Sequence, residues 1–104
     1  MNKLCMLTLA LGALTLAVPA QANEAAMNKA GCFVCHSKDK KVVGPAFKDV
    51  AAKYKGNAEA AKMLAAKVRA GGKGVWGPVP MPANGVDKIS DADLKTAVAF
   101  VLAQ

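Results

Sequence analysis

The stretch AGCFVCHSK, residues 30–38, sets Cys32 and Cys35 two residues apart and puts His36 directly after the second. A Cys-x-x-Cys serves three chemistries: a redox disulfide, half of a zinc site, or the covalent anchor of a haem. Each needs a different setting elsewhere in the chain, so the rest of the sequence discriminates among them.

Working outward, residues 1–22 read MNKLCMLTLALGALTLAVPAQA. Lys3 precedes an apolar run from Leu4 to Val18, followed by Pro19 and the small-x-small triplet Ala20-Gln21-Ala22. That is the layout of a secretory signal peptide cleaved after Ala22. The run is shorter than the ~20 residues of a membrane-spanning helix. Cys5 lies before the apolar core, not after it, which argues against a lipoprotein. The mature chain is then residues 23–104, one small domain exported to the periplasm. In an oxidising compartment two cysteines do not make a disulfide scaffold, and so small a domain is helped by an added staple, metal or cofactor.

The 104 residues carry 14 Lys and Arg against 7 Asp and Glu. A nucleic-acid reading fails because the lysines are dispersed, there is one arginine, and the chain is exported. The excess charge fits a solvated surface and electrostatic steering toward acidic partners.

Strand signals are almost absent, and helical periodicity predicts an all-α fold of four to five short helices. Glu24 to Ala30 reads as a short helix stopped by Gly31. Pro45 suits a first helical turn, after which Phe47, Val50, Ala51 and Tyr54 recur at helical spacing up to Gly56. Asn57 is placed to cap a third helix through Ala60, Leu64 and Val68, with Gly71-Gly72 as its stop. Ser90-Asp91-Ala92-Asp93 resembles a capping box. It opens a last helix whose apolar face is Leu94, Ala97, Val98, Val101 and Leu102. Residues 71–85, GGKGVWGPVPMPANG, hold five glycines and three prolines and are expected to exclude regular structure. A loop of that length in a small domain is usually functional, and its one Trp points to packing against something.

No βαβ pattern supports a thioredoxin-type disulfide, and no distant second Cys pair or His completes a tetrahedral zinc site. Haem attachment fits: two thiols add to the porphyrin vinyl groups, and the imidazole of His36 comes under the iron. A sixth ligand must come from a methionine, since His36 is the sole histidine. Met27 is five residues before Cys32, and Met63, mid-helix, has an ordinary packing explanation. Met81, between Pro80 and Pro82, is held in a stiffened loop and is the expected ligand. The expected metal ligands are therefore His36 and Met81.

Gly31-Cys32-x-x-Cys35-His36, then Val43-Gly44-Pro45-Ala46-Phe47-Lys48-Asp49-Val50-Ala51, then Gly74-Val75-Trp76-Gly77-Pro78-x-Pro80-Met81-Pro82 resemble the small bacterial class I cytochromes c. The similarity is to the periplasmic cytochrome c-551 type, also called cytochrome c8. It covers the whole mature chain. The resemblance implies one covalently bound haem c wrapped by helices, His/Met ligation, and one-electron shuttling between respiratory redox proteins, with no enzymatic activity. It also implies that the Pro45 carbonyl accepts the imidazole N–H, that Asn84 approaches the ligand sulfur, and that Trp76 reaches a haem propionate. Where relatives carry an arginine near the inner propionate, this chain has Lys67, with Arg69 two positions on. Lysine lacks the bidentate fork of arginine. The segment from Asn84 to Ser90 is longer than in some relatives.

Partners are expected to be redox proteins with acidic docking patches, met through a small surface containing Phe33 and Val34 and rimmed by lysines. Nitrite reductase, a terminal oxidase, a peroxidase and the cytochrome bc1 complex are the candidate classes. Contact with membrane complexes is peripheral, and the chain is expected to be a monomer. The alternative reading is a haem-based gas sensor or small peroxidase-like haem protein with a labile sixth ligand, against which the proline-stiffened Met81 stands. A module that never receives haem is a third reading, against which the leader and CxxCH motif stand together.

Overall fold

A computed structural model describes Gly12 and residues 20–104. The expected leader otherwise lies outside the described residues, and the expected cleavage point after Ala22 falls inside the first helix, α1 (Ala20–Ala30). That helix therefore starts earlier than the Glu24 expected from sequence. Gly31 follows at φ 86°, a left-handed conformation that glycine adopts without steric cost, and it turns the chain into the single-turn helix α2 (Cys32–Cys35). Three further helices follow: α3 (Phe47–Lys53), α4 (Ala60–Ala70) and α5 (Asp91–Leu102).

Two other helix starts also differ from expectation. Pro45 lies outside α3, because Ala46 is the N-cap in extended conformation and Phe47 the first helical residue. Asn57 does not cap α4; its Oδ1 accepts the Glu59 backbone N–H at 2.9 Å, forming a turn ahead of a helix whose N-cap is Glu59. Short polar side chains satisfy nearby backbone donors in either setting, so the sequence alone did not separate them. Ser90 behaves as expected: its Oγ accepts the Asp93 N–H at 3.1 Å.

The all-α architecture holds, with one addition. Residues 71–85 are not free of regular structure. They carry an antiparallel ribbon of β1 (Gly72–Gly74) and β2 (Gly77–Met81), with Gly72 opposite Met81 and Gly74 opposite Gly77. A two-stranded ribbon on a sheet edge tolerates prolines whose missing N–H faces outward, which composition does not reveal. Gly71, at φ 67°, makes the ribbon possible: a Cβ there would lie 2.5 Å from the Met81 carbonyl oxygen.

Helix α5 packs against α1, α3 and α4. Met27, Phe47, Ile89, Leu94, Ala97 and Val98 are buried together, with Leu64, Val68 and Val101 against them. Burial of this apolar surface supplies the main favourable contribution to folding. No helix among the described residues is long and apolar enough to cross a membrane.

Candidate functional site

One cavity runs from this core to the surface. Its lining joins Cys32, Cys35 and His36 from the α2 turn, Gly44, Pro45 and Phe47 from the next segment, and Leu64, Lys67 and Val68 from α4. The stretch from Gly72 to Pro82 and the inner face of α5 complete it. Residues 45 positions apart in the chain thus share one enclosure that is apolar apart from a few lysines.

His36 is oriented by three contacts. Its Nδ1 donates to the Pro45 carbonyl at 2.8 Å, and its ring stacks on Phe47 with centroids 5.0 Å apart and planes 22° apart. The Gly44 backbone lies against the ring as well, for a Cβ there would come within 2.5 Å of His36 Cε1. Because a carbonyl only accepts, Nδ1 carries the proton and Nε2 keeps its lone pair for another partner. The backbone fixes the turn: His36 N donates to Cys32 O at 2.9 Å, and Gly44 N to Cys35 O at 2.7 Å.

Cys32 and Cys35 are half-buried, with no disulfide between them. Burial pushes the Cys32 thiol above its ordinary value, and a backbone hydrogen bond offsets this in part. Among the described residues no group of three or more His, Cys, Asp or Glu side chains converges as a metal site. The donor set that shares the cavity is two thiols, one oriented imidazole and the thioether of Met81, in an apolar enclosure. That set fits a haem attached through CxxCH.

Of the other methionines, Met27 is core, only 2% exposed, and lines the cavity. Met63 is not packed as expected: it is 48% exposed and lies outside the cavity. Trp76 lines the cavity but stays 41% exposed, with Lys53 Nζ 5.6 Å from its ring centroid. The Asn84 amide donates to Pro82 O at 3.1 Å and Val68 O at 3.4 Å, tying the end of the ribbon to α4. Lys67 lines the cavity. Arg69 does not; it reaches the Asn84 and Ile89 carbonyls and Asp91 instead. Two residues along a helix turn a side chain by about 200°, so Lys67 and Arg69 face different ways. Phe33 is half-buried against Phe47, leaving Val34, 75% exposed, as the open residue of that edge. Sequence reasoning missed Gly44 and Phe47 as supports of His36, since neither carries a chemical signature.

The cytochrome c family profile matches residues 20–104. Cytochrome c-551 of Allochromatium vinosum is 50% identical over 94 residues, covering 90% of this chain and 98% of that protein. Cytochrome c-551 of Pseudomonas aeruginosa is 48% identical over 81 residues, covering 78% of this chain and 75% of that one. The crystal structure of wild-type Nitrosomonas europaea cytochrome c552 superposes with a TM-score of 0.70 at 46% identity, covering 76% of this chain and 95% of that one. With the CxxCH turn, the oriented imidazole and the apolar cavity, these likenesses place the chain in the cytochrome c family, as a small class I electron-carrying cytochrome of the c-551 type with one covalently bound c-type haem.

Proposed function

We propose that this cytochrome is a periplasmic one-electron carrier in which Cys32 and Cys35 would bear the thioether bonds to the haem and His36 and Met81 would hold its iron. The observation that carries the reading is the arrangement of His36: Nδ1 is committed to Pro45 O at 2.8 Å in the same apolar cavity that Met81 lines. When bound, the haem would supply one-electron chemistry at its iron. The protein's part is to hold both ligands through the change and to keep water away. Phe47, Gly44 and the Pro45 carbonyl hold the imidazole in one orientation. Pro80 and Pro82 restrict the backbone on either side of the Met81 thioether. Thioether ligation and apolar surroundings both favour the less charged ferrous state, which raises the potential.

Trp76 and Lys67, both lining the cavity, are assigned to the haem propionates, and Asn84 to support of the Met81 segment. The Pro45 carbonyl serves as the histidine's hydrogen-bond acceptor. Partners are redox proteins of the respiratory chain, nitrite reductase or a terminal oxidase among them. Docking would be brief, over exposed Val34, Val42, Val43, Val75 and Val79, with lysines around them steering acidic surfaces.

An absorption spectrum of the holoprotein, oxidised and reduced, with and without carbon monoxide, tests the ligand assignment. The expected result is a far-red sulfur-to-iron band when oxidised and no response to carbon monoxide when reduced. Met81→Ala should lose that band and bind carbon monoxide. A mutant as inert as the wild type would remove Met81 from the iron, and a wild type that binds carbon monoxide readily would favour a sensor or peroxidase-like role.

A further inference from the structure

We propose that Arg69 is a positioning residue for Met81. Its guanidinium fastens the segment following the methionine to α4 and α5, and so sets how firmly the thioether is held; this rests on Met81 being the axial ligand proposed above. Met81 ends β2, and no regular element follows until α5 at Asp91. The backbone in between needs partners of its own. Part of the need is met locally: Lys88 N and Ile89 N both donate to Gly85 O, at 3.0 and 3.2 Å. Asn84 N donates to Val68 O at 3.0 Å. The carbonyls of Asn84 and Ile89, at the two ends of this turn, are served by one atom. Arg69 Nη1 donates to Ile89 O at 2.7 Å and to Asn84 O at 3.1 Å, while Nη2 pairs with Asp91 Oδ1 at 2.6 Å.

Burial separates the contacts that matter from those that do not. The Asp91 side chain is 88% exposed, and an ion pair so open to water contributes little. Asn84 and Ile89 are only 8% and 4% exposed, so their carbonyls have no ready substitute for the lost donor. Asn84 is three residues beyond Met81, and Pro82 between them fixes one of the few intervening dihedrals, so less of a displacement of Asn84 is absorbed before it reaches the Met81 backbone. Arg69 does not line the cavity, so it acts only through this segment. It is a device for holding the turn between Asn84 and Ser90.

The test uses ferric holoprotein at a temperature where circular dichroism shows every variant folded, with imidazole as a ligand competing for the Met81 position. Arg69→Ala is expected to bind imidazole about ten-fold more tightly than wild type, with an earlier loss of the far-red band on warming, as befits a lost charge-assisted bond. Arg69→Lys, which keeps the charge without the fork, should fall between the two. Asp91→Asn should stay within about two-fold of wild type. A lower melting temperature for Arg69→Ala with wild-type imidazole affinity and band would overturn the proposal, leaving a mere structural tie. So would an Asp91→Asn effect as large as that of Arg69→Ala. If Arg69→Ala does not fold, Arg69→Lys decides, and wild-type affinity there overturns it. A wild type without the far-red band would sink the Met81 ligation itself, and this is seen before any variant is compared.

Discussion

At His36 the ring is held by neighbours that have no chemistry of their own. Phe47 stacks on it, the Pro45 carbonyl accepts a hydrogen bond from its Nδ1–H and Gly44 leaves room for its edge. Gly44→Ala introduces a Cβ 2.5 Å from His36 Cε1 and 2.9 Å from Nδ1, closer than side chains sit in folded proteins. The ring cannot retreat into Phe47 without losing its bond to Pro45 O. Overpacking of this kind costs about 1–3 kcal/mol. Thermal unfolding of the holoprotein should show that loss, together with a perturbed ferric spectrum; an unchanged midpoint would mean that the ring shifts freely. The proposed ligand was legible in AGCFVCHSK, since covalent chemistry dictates the spacing. Its supports were not, because a glycine and a phenylalanine acquire that role only when the chain folds back on the motif.

The elements divide in the same way. Helix α5 was legible from both ends, through Ser90-Asp91-Ala92-Asp93 and the spacing of Leu94, Ala97 and Val98, all three buried. Ser90→Ala removes the acceptor of the Asp93 N–H and should cost about 1 kcal/mol. In a domain of this size that lowers the melting temperature by roughly 4–8 °C. A shift under a degree would show the helix start held by packing alone. The ribbon was not legible. Its strands are built from glycine and proline, which carry no strand signal, and it exists because Gly71 allows the backbone of residues 71–72 to approach that of 81–83.

On the scale of the whole molecule, helices and ribbon surround a cavity that side chains alone do not fill. The core of Met27, Phe47, Ile89, Leu94, Ala97 and Val98 lies against it, and four of these six contribute inner surface along α3 and α5. So small a domain depends on the added apolar area of a covalently held group. A Cys32→Ser, Cys35→Ser double variant, unable to attach haem, should lose its sharp near-ultraviolet circular dichroism and melt without a cooperative transition. A cooperative transition near that of the holoprotein would show that the helices suffice by themselves.

Taken alone, the sequence determined the covalent haem chemistry and the helical class, and it put Met81 forward as the second ligand proposed above, because each reading depends on residue type and spacing over a few positions. Tertiary structure decided which residues support that chemistry. Lys67 and Arg69 are two residues apart with similar charge, yet one lines the cavity and the other grips the carbonyls of Asn84 and Ile89. That division comes from the rotation of α4 against the ribbon and α5, a relation between segments far apart in the chain, which local pattern does not encode.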